Sequence, residues 1–178
     1  MSKAQDFGYY EKMSLRDTIS HSNSLVISPF ALVVGNYYKM KVRLQHETDN
    51  VIGYGMDIKY YFNDTYPGFQ LSPFLKLFPF ETNSSGVYII IDGVYGRNKG
   101  LPDIESKYYN CYGAGIGFGY QIIFGQERRG IIDISTGLKY LSSESGIAIN
   151  NVPEKYDDYF VIGPGSFYDG SIGIGYKF

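Results

Sequence analysis

Two histidines, one cysteine and a few acidic loop residues are the side chains of this chain whose types could support a reaction. His21-Ser22 sets a base beside a hydroxyl, the pairing that lipid-modifying enzymes use, but no acid stands at a spacing that would orient the imidazole. His46 opens the polar run His46-Glu-Thr-Asp-Asn, which reads as a turn, and both histidines are expected to be solvated. Asp103, Glu105, Glu154, Asp157 and Asp158 could meet a divalent cation, yet their order lacks the ligand spacing of a calcium loop. Cys111 is alone, so it forms no internal disulfide and no cysteine zinc site. We expect no catalytic residue, no cofactor and no metal.

The remaining charges stand in a different order. Lys39, Lys41 and Arg43 alternate with Met40, Val42 and Leu44, and the same alternation carries Asp57, Lys59, Lys76, Asp92, Asp133, Lys139, Asp169 and Lys177. Residues two apart on a strand share a face, so these charges fall on one face of a sheet and apolar or aromatic residues on the other. The expected outward positions in the strand centres carry no charge. A soluble ligand-binding barrel has the reverse arrangement, with an apolar cavity and a polar exterior. Charge at a bilayer midplane costs roughly 2–4 kcal/mol for Arg or Lys, so lipid would select the clean outward face seen here. The pattern predicts a lattice of paired charges plugging a narrow barrel, helped by Tyr37, Tyr61 and Phe74.

The strands that would position this lattice are expected at 24–34, 37–45, 51–62, 69–77, 87–95, 108–124, 131–141 and 166–178, separated by runs rich in Gly, Asn, Asp and Ser. Residues 1–23 read as a tail or short amphipathic segment, and 24–178 as an all-β, eight-stranded antiparallel up-and-down transmembrane barrel with a polar, side-chain-filled interior. The sixth strand is nearly all glycine on one face, from Gly113 to Gly119. Gly-x-Gly runs cradle phosphates where a strand turns into a helix, whereas this run continues at period two with aromatics between. Glycines there leave room for large side chains from neighbouring strands. Pro29 and Pro73 each sit in a Ser-Pro-Phe inside an expected strand, where proline removes a ladder hydrogen bond. They mark a bulge or a misplaced boundary, or else a weak seam through which a lipid tail could enter.

The bulk numbers agree. A length of 178 residues fits one domain, and 19 Tyr, 12 Phe and 22 Gly suit short strands with aromatic girdles. A net charge of −2 without a basic stripe excludes a nucleic-acid partner. Mean hydropathy is −0.18 and no run is long and apolar enough for a membrane-crossing helix, a criterion that does not bear on barrel strands. Met1-Ser-Lys-Ala-Gln-Asp lacks the apolar core of a signal peptide, so we expect that an export signal has been removed.

In its strand pattern over residues 24–178 the chain resembles the small eight-stranded outer-membrane barrels of OmpA/OmpX type, and is similar to other small Gram-negative barrels. The features that carry the resemblance are the closing segment with Ile172, Ile174, Tyr176 and Phe178, the Tyr60-Tyr61-Phe62 run, and Gly119-Tyr120-Gln121 before a short turn. The resemblance implies a bacterial outer-membrane location with periplasmic termini and recognition of the closing segment by the barrel-assembly machinery. Its partners would be outer-membrane lipid, lipopolysaccharide and a larger outer-membrane protein complex. The chain departs from OmpA by stopping at Phe178 without a peptidoglycan-binding domain, so cell-wall anchoring is not implied. The expected role is structural or partner-binding and non-enzymatic. A lipid-modifying acyltransferase or deacylase, and a soluble barrel for a small apolar ligand, are the alternatives.

Overall fold

Alternating runs of β-branched, aromatic and glycine residues form eight strands in the computed structural model of the chain, which describes residues 23–29, 38–48, 51–62, 67–80, 85–99, 108–125, 127–143 and 167–178. The strands are β1 (Asn23–Ser28), β2 (Tyr38–Thr48), β3 (Ile52–Phe62), β4 (Gly68–Leu77), β5 (Gly86–Lys99), β6 (Tyr108–Phe124), β7 (Gly130–Ser143) and β8 (Tyr168–Lys177). Each pairs antiparallel with its sequence neighbours, and β1 pairs with β8, so the sheet closes. Traced across the ladders, a residue returns to its own strand ten positions away. With ordinary strand spacings, that stagger tilts the strands by about 40° to the barrel axis. The β2–β3, β4–β5 and β6–β7 turns gather at one end, the turn end, together with Asn23 and Phe178. The other connections meet at the opposite, loop end.

Several boundaries differ from those expected. β1 stops at Ser28 and Pro29 stands in the turn that follows, so this proline interrupts no ladder. The run 24–34 is apolar on both faces and carries no period from which its end could be read. β2 continues through His46 and Glu47 to Thr48, replacing the expected turn, and His46 Nδ1 lies 2.8 Å from Asn23 Oδ1 on the neighbouring strand. β5 continues to Lys99, so residues 96–99 belong to the wall and not to a loop. Phe167 precedes β8 and is exposed instead of sharing its inward face. The expected N-terminal segment, His21, Tyr37 and the loop acids Asp103, Glu105, Glu154, Asp157 and Asp158 lie outside the described residues.

Pro73, by contrast, is in mid-strand. It sits opposite Met56 on β3, while the β4–β5 ladder skips Ser72 and Pro73 and, across from them, Gly93 and Val94. The register is the same on both sides of the gap, so no residue is inserted. Proline brings no N–H to a ladder, and the wall absorbs the loss as a local interruption instead of a bulge.

Inside and outside then separate by parity. Inward positions hold buried Lys, Arg, Asp, Glu, Gln and Ser with an apolar group formed by Phe74, Phe78, Tyr88 and Ile90. Outward positions hold Ile58, Leu75, Ile89, Ile91, Ile116, Phe118, Ile134, Ile172 and Ile174, all exposed. Allowing for the stagger, Tyr60, Phe69, Tyr95, Tyr112, Tyr140 and Tyr168 encircle the barrel near one height toward the loop end. Tyr54, Tyr120 and Tyr176 stand near one height toward the turn end, on β3, β6 and β8. Arg129 in the β6–β7 turn donates to the Tyr176 hydroxyl at 2.8 Å, which holds the guanidinium pKa above its ordinary value.

The glycine face of β6 lets this interior fit. A Cβ on Gly119 would run into the Tyr88 ring and the Ile134 carbonyl, whereas one on Gly93 would meet only Pro73 Cγ at 3.7 Å. Gly119→Ala is therefore expected to destabilise the barrel by about 1–3 kcal/mol, and Gly93→Ala to leave it unchanged or slightly stabler. Denaturant unfolding of the two variants side by side checks this.

Candidate functional site: the ion-pair lattice inside the barrel

β2 contributes most of the lattice because its inward positions are Lys39, Lys41, Arg43, Gln45 and Glu47, an uninterrupted polar column. At its centre the Arg43 guanidinium grips Asp57 with two hydrogen bonds, Nε to Oδ1 at 2.7 Å and Nη2 to Oδ2 at 2.8 Å. Its third nitrogen crosses the barrel to Asp133 Oδ1 at 3.0 Å. Lys76 reaches the other Asp133 oxygen at 2.7 Å, and the Tyr88 hydroxyl donates to Oδ1 at 2.9 Å. The Phe74 ring packs 4.8 Å from Arg43 Cζ, and Lys76 lies 4.0 Å from the centre of the Tyr88 ring. Two cations and two carboxylates meet in a layer of fully buried side chains.

Toward the turn end, Lys177 pairs with Glu47, whose Oε1 also accepts from Gln45 at 2.7 Å and Gln121 at 3.1 Å. Toward the loop end, Lys39 and Lys59 each hold one oxygen of Asp169, and Asp92 lies 3.9 Å from Lys59. Lys139 donates to the Tyr61 hydroxyl and to Gln70 Oε1, both at 3.3 Å. Lys41 stands 3.5 Å from the Ser135 hydroxyl and 3.6 Å from Asp57.

All eleven charges that the alternation singles out, Lys39, Lys41, Arg43, Asp57, Lys59, Lys76, Asp92, Asp133, Lys139, Asp169 and Lys177, therefore face the interior of one barrel. Asp92 and Asp169 are its most accessible members, with side chains 15% and 19% exposed. Gln45 and Gln121, on the polar faces of their strands by the same alternation, join the lattice, and so do Glu47, in the run that reads as a turn, and Tyr88. Ile172, Ile174, Tyr176 and Phe178 lie together outside, on the opposite face of β8 from Asp169 and Lys177. Among the described residues, no group of three His, Cys, Asp or Glu could hold a metal ion. Cys111 is buried, accepting from Asn98 Nδ2 at 3.2 Å.

Fold and site together define a closed all-β barrel with a charged, internally paired core and an apolar exterior. No protein-family profile, curated protein or solved structure matches the chain.

Removing one member of a buried pair strands the other. Asp133→Ala would leave Lys76 without a carboxylate and Arg43 with one, and is expected to cost about 3–5 kcal/mol. Combining it with Lys76→Met should cost less than the sum of the single changes, by roughly 0.5–3 kcal/mol. A double-mutant cycle measured by denaturant unfolding reads that coupling directly; additive losses would mean that the two groups do not interact.

Proposed function

We propose that this chain is an integral outer-membrane β-barrel of OmpA/OmpX type, non-enzymatic, acting as a structural or partner-binding component of a bacterial outer membrane. The observation that carries the reading is the reversal of sides: ion pairs fill the interior, while the strand centres present an uncharged apolar belt outward. Aromatic residues recur at two levels toward the ends of this belt, about seven residues of strand or roughly 18 Å apart at the tilt above, a shorter span than the apolar band of about 25 Å that aromatic girdles flank in outer-membrane barrels. The periplasmic side would be the turn end, which has the shorter connections, and the long connection 144–167 would face outward. Outer-membrane lipid and lipopolysaccharide are then the immediate partners. The segment from Ile172 to Phe178 would be read by the assembly machinery, and a larger membrane complex would dock on the loops.

The alternatives fit less well. A soluble barrel for an apolar ligand needs an apolar cavity, and this interior is occupied by charge. A lipid-modifying enzyme could use the interrupted ladder at Pro73, but the residues flanking it outside are Leu71, Leu75, Ile91 and Tyr95. The adjoining Ser72 hydroxyl is buried with no base within hydrogen-bond reach.

The refolded chain is expected to need detergent for solubility and to migrate differently on SDS gels before and after boiling. A folded monomer that stays soluble without detergent would overturn the reading. Ile116→Lys, near midway along the belt, should destabilise the barrel in lipid vesicles by about 2–4 kcal/mol, and Ile174→Lys, near the turn-end tyrosines, by less. On a soluble barrel the same changes would lie on a hydrated surface and cost little.

A further inference from the structure

The outer side of the wall is charged in one place. Among the described strand residues, outward positions carry two charges, and both are cations at the loop end of β5: Arg97, exposed, and Lys99, half-buried. Alternation sets them on one face about 7 Å apart, with Tyr95 next below them. The register adds Phe69 on β4 beside Arg97, and Tyr112 and Tyr108 on β6 beside Tyr95 and Lys99. The Arg97 guanidinium carbon lies 5.8 Å from the centre of the Tyr108 ring, and the Tyr95 and Tyr112 rings are 5.5 Å apart. The two cations therefore stand over an aromatic shelf, which runs down into the apolar belt through Ile91 and Ile116.

Neither cation has a carboxylate within ion-pair distance among the described residues. Arg129 at the turn end is the contrast, since Glu127 lies 2.7 Å from its Nε and the Tyr176 hydroxyl accepts from it. At the strand tilt, Arg97 stands about 5 Å beyond Tyr95 along the barrel axis, close to the edge of an apolar band of about 25 Å counted from the turn-end tyrosines. A side chain at that height meets lipid headgroups. A ligand for this place needs an anion at Arg97 and Lys99 and an apolar body that descends over Tyr95, Tyr112 and Ile91. An acidic lipid has that form. Two cations match a phosphomonoester, with a charge of about −1.5 to −2 at neutral pH, better than a singly charged phosphodiester.

We propose that Arg97 and Lys99 hold a phosphomonoester of lipid A, the phosphorylated, acylated sugar that anchors lipopolysaccharide, with its acyl chains lying on Tyr95, Tyr112 and Ile91. The inference rests on the outer-membrane reading above, in which the loop end faces the lipopolysaccharide leaflet. It gives that lipid one fixed place on the wall, over β5 and β6.

The test titrates the full chain, folded in a non-ionic detergent, with lipid A in mixed micelles and counts bound lipid by native mass spectrometry. Lipid A stripped of its phosphates is expected to bind roughly 30-fold more weakly than the phosphorylated form. The double change Arg97→Gln and Lys99→Gln should weaken binding of the phosphorylated form to the same degree, while Arg129→Gln should bind like the unaltered chain. If the double variant does not fold, the two lipids compared on the unaltered chain decide. Equal affinity for both lipids, unchanged affinity in the double variant, or phosphatidylglycerol competing as well as lipid A would overturn the site. Any of these in a barrel that needs detergent and shifts on boiling would leave the membrane reading standing; a chain that stays folded and soluble without detergent would overturn both.

Discussion

Asp133 holds Arg43 with one oxygen and Lys76 with the other, and much of the structure follows from the need to satisfy that arrangement. An eight-stranded barrel has an interior only as wide as its own side chains, so every charge turned inward must find its partner across the lumen or not at all. Arg43 answers by bridging neighbouring β3 and distant β7 at once, through Asp57 and Asp133. Such a bridge works only in the observed register. A slip of one residue would turn the whole set outward, so the lattice specifies the fold as much as it stabilises it. Space for it comes from the opposite wall, where β6 and β7 present glycines and the long side chains of β2, β3 and β4 reach across.

The same alternation that sends charge inward leaves the exterior to Ile, Leu, Phe and Tyr. In water that surface would be a large apolar patch inviting association; in lipid it is the expected solvent-facing side. Closure adds to this, because a sheet whose first and last strands pair has no edge strand to expose to lipid. The closure is uneven. Among the described residues β1 contributes four pairs to β8, whereas β5–β6 and β6–β7 have fourteen each, and Gly173 and Gly175 let Val26 approach closely at the seam. The β4–β5 ladder is the other weak place, at Pro73.

What could be read from the sequence was whatever the period of two protects. Eight strands, the facing of all but β1 and the eleven inward charges follow from parity, and β6 has the expected limits because glycine and aromatic residues alternate through most of its length. The gaps arose where composition outweighed parity. Glu47 lies in Glu47-Thr-Asp-Asn, whose residue types favour turns, although its position continues the column of Lys39, Lys41 and Arg43. Arg97, Asn98 and Lys99 hid the end of β5 in the same way. Tyr88 shares the parity of Ile90 and Asp92 on β5, but a period of two does not show that its hydroxyl would be bound to Asp133 on β7. Gly117 and Gly137 face each other across two strands, a register that no single stretch of sequence contains.

The central claim is that the exterior of this barrel is immersed in lipid. Spin labels on single cysteines introduced at Ile58, Ile91, Ile116, Ile134 and Ile174, in a chain whose own Cys111 is replaced by serine, would test it most directly after reconstitution into vesicles. The account predicts that all five labels collide freely with oxygen and are shielded from a water-soluble nickel chelate, with shielding deepest midway between the two tyrosine rings. Labels open to the chelate at these positions, on a barrel that is otherwise folded, would contradict it.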